Sequence, residues 1–198
     1  MDLVAANSEA VELESTQRAH PIERKTQFSP CRQYRYTLWR DWDFPALPLG
    51  APEDGFDGFK QLKDAGEYAM FIGLNPSTAD ETKDDPTIRK CIGFAKRWGY
   101  GALCMTNLFA FRATDPKVMK HEENPVGRAN LRCLQEYAAK AGIVVAAWGV
   151  NGRHMAMDKI VRQWLSDAGV KLYCLRMTAS GFPEHPLYVP YGDAIPFD

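Results

Sequence analysis

The chain has 198 residues, 45% hydrophobic and 25% charged, with a formal net charge of −1. That balance describes one globular domain with room for a real core and excludes a global basic field, so any nucleic-acid surface must be local. Five cysteines (Cys31, Cys91, Cys104, Cys133, Cys174) never fall within a Cys-x-x-Cys interval, which argues against zinc ribbons and iron–sulfur clusters and for buried free thiols in a reducing cytoplasm.

Residues 1–30 are polar, mixed in charge and punctuated by Pro21 and Pro30. They read as a mobile N-terminal extension with a short helix around Ala10 to Arg18, ahead of a single domain over 31–198. The start is acidic and has no apolar run of signal-peptide type. Tyr34 to Trp39 alternates aromatic or apolar residues with polar ones, as a strand does. Asp41 to Asp57 is rich in Pro and Gly and reads as loop. Tyr68 to Ile72 is a short apolar run halted by Gly73 and Pro76, which predicts a buried strand opening into Asn75, Ser77, Thr78 and Asp80.

Asp85-Pro86 is an N-cap followed by Pro at the first helical position, predicting a helix to Trp98 that ends at Gly99. Ile88, Cys91, Ile92, Ala95 and Trp98 share one face, and Arg89, Lys90, Lys96 and Arg97 the other. Ala102 to Thr106 is the next strand, running into Asn107–Pro116. Asn124-Pro125 predicts a third helix with Cys133, Leu134, Tyr137 and Ala138 on its apolar side. Ile143 to Trp148 reads as the cleanest buried strand, too short to span a bilayer. Gly149 to Gly152 turns it into a helix carrying Met157, Ile160, Val161, Trp164 and Leu165 at helical spacing, ended by Gly169. Lys171 to Leu175 is the last strand.

Strands alternating with helices predict a three-layer α/β/α domain around a central four-stranded, mainly parallel sheet with right-handed crossovers. Ligands of such sheets bind beyond the carboxyl ends of the strands, where Asn75–Asp80, Thr106–Arg112, Gly149–Arg153 and Ser180–Tyr188 would converge. The backbone of the Gly149–Gly152 turn could hold a phosphate. There is no Gly-x-Gly-x-x-Gly, P-loop or Gly-x-Ser-x-Gly motif, and no paired-histidine spacing for a metal. No cofactor is expected.

Gly73-Leu-Asn-Pro-Ser77 resembles the first motif of the uracil-DNA glycosylase superfamily, above all its thymine/mismatch-specific branch. Thr106-Asn107-Leu-Phe-Ala-Phe-Arg112-Ala-Thr114 is similar to a second segment of that branch, with one residue inserted. Ser180-Gly-Phe-Pro-Glu-His185-Pro-Leu187 is similar in position to its final loop. Asp85-Pro-Thr-Ile-Arg89 and Phe94-Ala-x-x-Trp-Gly-Tyr-Gly101 also resemble a bacterial and phage domain family known by its motifs, over roughly residues 34–190.

The resemblance implies a uracil-DNA-glycosylase-like fold and a cytoplasmic, monomeric enzyme acting on single- or double-stranded DNA, with no membrane association. It would flip a nucleotide out and hydrolyse its N-glycosidic bond. Asn75 would position the water, because an amide has no useful basicity. Real basicity would come from Asp80, Asp84 or Asp85, with Asp80 preferred, and His185 would donate to the leaving base. Ser77, Thr106, Asn107 and Ser180 would recognise the base. Phe182 or Leu187 would fill the vacated stack, and Arg89, Lys96, Arg112, Gly152 and Arg153 would contact the DNA. The strongest uracil-excising members carry aspartate where this chain has Asn75, followed by a stacking aromatic that is missing here. The expected substrate is therefore a modified or mismatched pyrimidine, a hypermodified cytosine of phage DNA or a repair substrate such as uracil or thymine. A nucleoside or nucleotide hydrolase or transferase, and a catalytically inert nucleic-acid-binding module, are the alternatives.

Overall fold

The computed structural model describes residues 24–42 and 68–197. The helix expected at Ala10 to Arg18 and most of the loop expected at Asp41 to Asp57 lie outside them. In chain order the described residues form β1 (Gln27–Phe28), β2 (Arg35–Asp41), β3 (Tyr68–Gly73), α1 (Pro86–Arg97), β4 (Ala102–Asn107), α2 (Pro116–His121), α3 (Asn130–Ala138), β5 (Ile143–Ala146), α4 (Met157–Asp167), β6 (Leu172–Cys174) and β7 (Ile195–Pro196).

One sheet holds all seven strands in the order β1-β2-β4-β3-β5-β6-β7. The fold is α/β as expected, but the sheet is wider than four strands. Its middle, β4-β3-β5-β6, is parallel, while β2 adds antiparallel to β4 and two-residue strands close both edges. Strands that short carry no readable alternation, and Pro196 is tolerated because an edge needs no ladder donor. Gln27–Phe28 thus draws into the sheet a segment assigned by sequence to the extension.

Pleating divides each central strand between two cores. Tyr68, Met70 and Ile72 of β3, with Ala102 and Cys104 of β4, pack against Leu134 and Tyr137 of α3 and Val161 and Leu165 of α4. Ala69, Phe71, Leu103 and Met105 face the other way onto Ile88, Cys91 and Phe94 of α1 and onto Trp98 at its C-cap. The helices therefore lie on both faces, and burying each large apolar side chain contributes about 1.5–3 kcal/mol.

Helix α1 forms where its signals predict: Asp85 Oδ1 accepts from the Ile88 N–H at 2.9 Å, and Gly99 ends the helix at φ +82°. The third expected helix does not begin at Asn124-Pro125. Asn124 instead accepts from Gly127 N–H at 3.4 Å, and α3 starts at Asn130 without a side-chain cap. Helix α2 forms where the sequence reading assigns no element, although Asp115-Pro116 repeats the Asp85-Pro86 start and Asp115 accepts from Lys117 N–H at 2.8 Å. Strand β5 stops at Ala146, and the chain then winds through a 3-10 turn, Val150–Ala156, into α4.

Chain order matters most between β3 and β5. From β3 the chain crosses to β4 on one side, then returns past β3 to β5 on the other. Their carboxyl ends therefore part at a topological switch point, which opens a crevice there. Among the described residues no helix is long and apolar enough to cross a membrane.

Candidate functional site

A cleft of about 570 Å³ opens at this switch point, within the size range of small-molecule sites. Gly73, Leu74, Asn75 and Ser77 line it after β3, Asn107 at the end of β4, and Ala147 to Asn151 after β5. Asp85 and Thr87 enter from the start of α1, Thr178, Glu184, His185 and Tyr188 from the last loop, and Arg35 from β2. A wider groove of about 970 Å³ borders α4, β6 and β7, but no sequence-derived site residue lines it.

Asn75 joins two loops. Its Nδ2 donates to the carbonyls of Ala113 at 2.7 Å and Pro76 at 3.2 Å, and Ala113 N–H returns a bond to the Pro76 carbonyl at 2.9 Å. The donor end is thus committed, and Oδ1 remains as the acceptor for the cleft. Asn107 is 1% exposed, and its Nδ2 is buried without a partner. It can stand at the end of β4 because its neighbour across the ladder is Gly73.

His185 caps a 3-10 turn, Pro186–Tyr188: the Leu187 N–H donates to its Nδ1 at 3.4 Å. That bond puts the proton of the neutral ring on Nε2. Burial, opposed by the charge of Asp85, holds the imidazole below the usual histidine range, so it is neutral at neutral pH. The Asp85 carboxylate commits Oδ1 to the cap of α1.

Several expected site residues stand elsewhere. Asp80 does not line the cleft; its Oδ1 accepts from the Thr82 and Lys83 N–H groups at 3.0 and 2.8 Å. These bonds, that of Thr82 foremost, hold its carboxyl below the usual range, which makes it a poorer base. Asp84 is paired with Arg40 at 2.8 Å. Of the carboxylates considered from sequence, Asp85 is the one that reaches the cleft.

Thr106 is fully buried, and its hydroxyl donates to the Phe71 carbonyl within the sheet. Ser180 is exposed beyond the cleft, 3.1 Å from the Thr178 hydroxyl. Gly152 is buried against Trp148, where a Cβ would lie 2.1 Å from the indole, and so meets no ligand.

The expected DNA contacts are spread out. Arg89 donates to the Asp84 carbonyl and Lys96 lies over Trp42, both on exposed parts of α1 away from the cleft. Their neighbours Lys90 and Arg97 cover the ring of Tyr191 at 3.8 and 4.5 Å, so part of the basic stripe packs against the C-terminal segment. Arg112 lies over Phe28 and donates to the Arg32 carbonyl. Arg153 is exposed just beyond Asn151, a cleft residue anchored by Lys120 Nζ at 2.7 Å. Leu187 is 41% exposed beside His185, and Phe182 is half-buried.

Five expected residues, Asn75, Ser77, Asp85, Asn107 and His185, do meet in one cleft. Sequence reasoning missed Arg35, and gave no role to Trp148, at the end of an expected strand, or to Tyr188, in the converging last loop. Trp148 and Tyr188 follow a strand end and the His185-Pro186 step, positions that could have flagged them; Arg35 carries no such signal. Among the described residues, no group of three or more His, Cys, Asp or Glu could hold a metal.

No curated protein and no solved structure matches this chain. A family profile described as "Protein of unknown function (DUF1643)" matches residues 35–187.

Proposed function

We propose that this chain, which belongs to the DUF1643 family, is a DNA glycosylase of uracil-DNA-glycosylase-like fold that hydrolyses the N-glycosidic bond of a modified or mismatched pyrimidine. The observation that carries this reading is the convergence of an amide acceptor (Asn75 Oδ1), a carboxylate (Asp85), a neutral imidazole (His185) and a buried amide donor (Asn107) around one nucleotide-sized cleft.

Hydrolysis needs a water beneath the sugar, a group to take its proton, and a donor for the departing base. Asn75 accepts a hydrogen bond from the water and orients its lone pair toward C1′. Asp85 takes the proton as the carbon–oxygen bond forms. The carbon–nitrogen bond breaks with its electron pair moving to the base, where His185 Nε2–H donates to the carbonyl oxygen that gains charge. Tyr188, exposed at the cleft, gives it the aromatic surface that the Asn-Pro loop lacks, Asn107 faces the base, and Leu187 fills the gap in the stack.

A second reading is a hydrolase or transferase of free nucleosides or nucleotides. The packing of Lys90 and Arg97 over the ring of Tyr191 favours it, because it engages part of the basic surface that a strand would need.

A base-release assay separates the two. DNAs carrying uracil, a G·T mismatch, 5-hydroxymethylcytosine or its glucosylated form are incubated with the enzyme, and free base is read by mass spectrometry. Release from one DNA, lost in Asn75→Ala, is the expected result. Silence on every DNA together with cleavage of free nucleosides would overturn the glycosylase reading in favour of the second.

A further inference from the structure

Arg35 is the least explained charge in the molecule. It is 2% exposed, yet no carboxylate of the described residues forms an ion pair with it. Nη1 donates to the Ala79 carbonyl at 2.8 Å, and Nε is buried without a partner. That leaves Nη2, and Arg35 lines the cleft. A buried, unpaired guanidinium is costly unless something completes it. Nearby Arg40 and Arg112 add to that cost, and the charge of Asp85 only partly opposes it. Burial first of all brings Arg35 down to about 10, which still leaves it a cation at neutral pH.

Two further features surround the same spot. The first turn of α1 enters the cleft at Thr87, presenting the positive end of a twelve-residue helix. Ser77 lines the cleft from the loop that leads from β3 into α1. Guanidinium, helix start and hydroxyl are together the chemistry of a phosphate site. The charge count selects the kind of phosphate. Glu184 is already paired with Arg176, so the cleft sets one cation, Arg35, beside one carboxylate, Asp85. A phosphodiester carries one negative charge and a terminal phosphomonoester nearly two, so the carboxylate weighs more heavily against the second.

We propose that Arg35, with Thr87 and Ser77, forms a phosphodiester subsite in the floor of the cleft that receives the backbone of the strand whose base is bound. The subsite rests on the reading of the cleft as a nucleotide site and makes the substrate a nucleotide within a strand rather than a free one.

The test is calorimetric binding to the full chain of three probes, in thymine and cytosine versions: the nucleoside, its 5′-monophosphate and the dinucleotide. The dinucleotide is expected to bind about tenfold tighter than the nucleoside, a difference of one charge-assisted contact. Arg35→Met removes that advantage and leaves nucleoside affinity unchanged. The apolar replacement is chosen because exchanging a buried charge for a similar volume commonly preserves the fold. Arg35→Lys, which keeps the charge without the fork, is expected to retain part of the advantage. Equal affinity for nucleoside and dinucleotide in the wild type overturns the subsite while the nucleoside reading of the cleft stands. Tighter binding of the monophosphate than of the dinucleotide also overturns it, in favour of free nucleotides. Binding of no probe removes the nucleotide reading itself.

Discussion

Gly73 and Asn107 face each other across the last rung of the β3–β4 ladder, and a Cβ at residue 73 would sit 2.8 Å from the Asn107 carboxamide oxygen and 2.6 Å from Met105 Cε. The glycine is there because the amide beside it needs the volume. Gly73→Ala is therefore expected to cost about 1–3 kcal/mol in overpacking, read by denaturant unfolding. It also displaces Asn107, so base release falls further than the stability loss explains. A variant with wild-type activity would remove Asn107 from the site.

Asp80 and Asp85 are five residues apart and do different work. Asp80→Asn keeps the Oδ1 that the Thr82 and Lys83 N–H groups require, and its base release is expected to stay at the wild-type level. Asp85→Asn keeps the cap, since asparagine serves as well at that position, but removes the proton acceptor and lowers base release by about 10²–10⁴-fold. The reverse ranking in single-turnover assays would return the catalytic role to Asp80.

His185 links stability to pH. Its folded-state value lies below the ordinary 6.5 because burial disfavours the charged ring. The unfolded chain therefore binds more protons in the window below 6.5, and stability falls as pH drops through it. His185→Gln removes this term. The wild type is expected to lose more stability than the variant between neutral pH and pH 5 in parallel thermal scans. Identical pH profiles would show that the imidazole is not buried in solution.

Tyr68 lies at the amino end of β3, away from the cleft, and its hydroxyl donates to the Tyr137 carbonyl at 2.6 Å. Its ring packs edge-on against Trp39 at 4.8 Å. Tyr68→Phe keeps the ring contact, leaves the carbonyl short of a partner and is expected to cost about 1–2 kcal/mol. Base release at a temperature where the variant is folded should be unaffected, because the substitution lies at the wrong end of the strand. A matching loss of activity would show that the two ends of the sheet are coupled.

The sequence by itself determined the central strands, the limits of α1 and the strand ends at which polar residues gather. Those signals are local: a short apolar run from Tyr68 halted by Gly73, an Asp-Pro cap before α1, a glycine after it. It also picked out Asn75, Ser77, Asn107 and His185, because each follows a strand or sits in the terminal loop. Only the tertiary structure decided which neighbours accompany them. Asp80 turns into its own loop because its backbone closes on Lys83, while Asp85 faces the cleft because α1 begins there. Thr106 and Gly152 fall out of the site because a sheet carbonyl and an indole already occupy them. Arg35 reaches the floor through β2, which pairs with the chain after β4 by the bond from Arg35 N–H to the Ala110 carbonyl. Such long-range pairing leaves no mark in a residue's own neighbourhood. A charge that reads as strand surface in sequence is thus buried at the switch point, unpaired and facing the cleft.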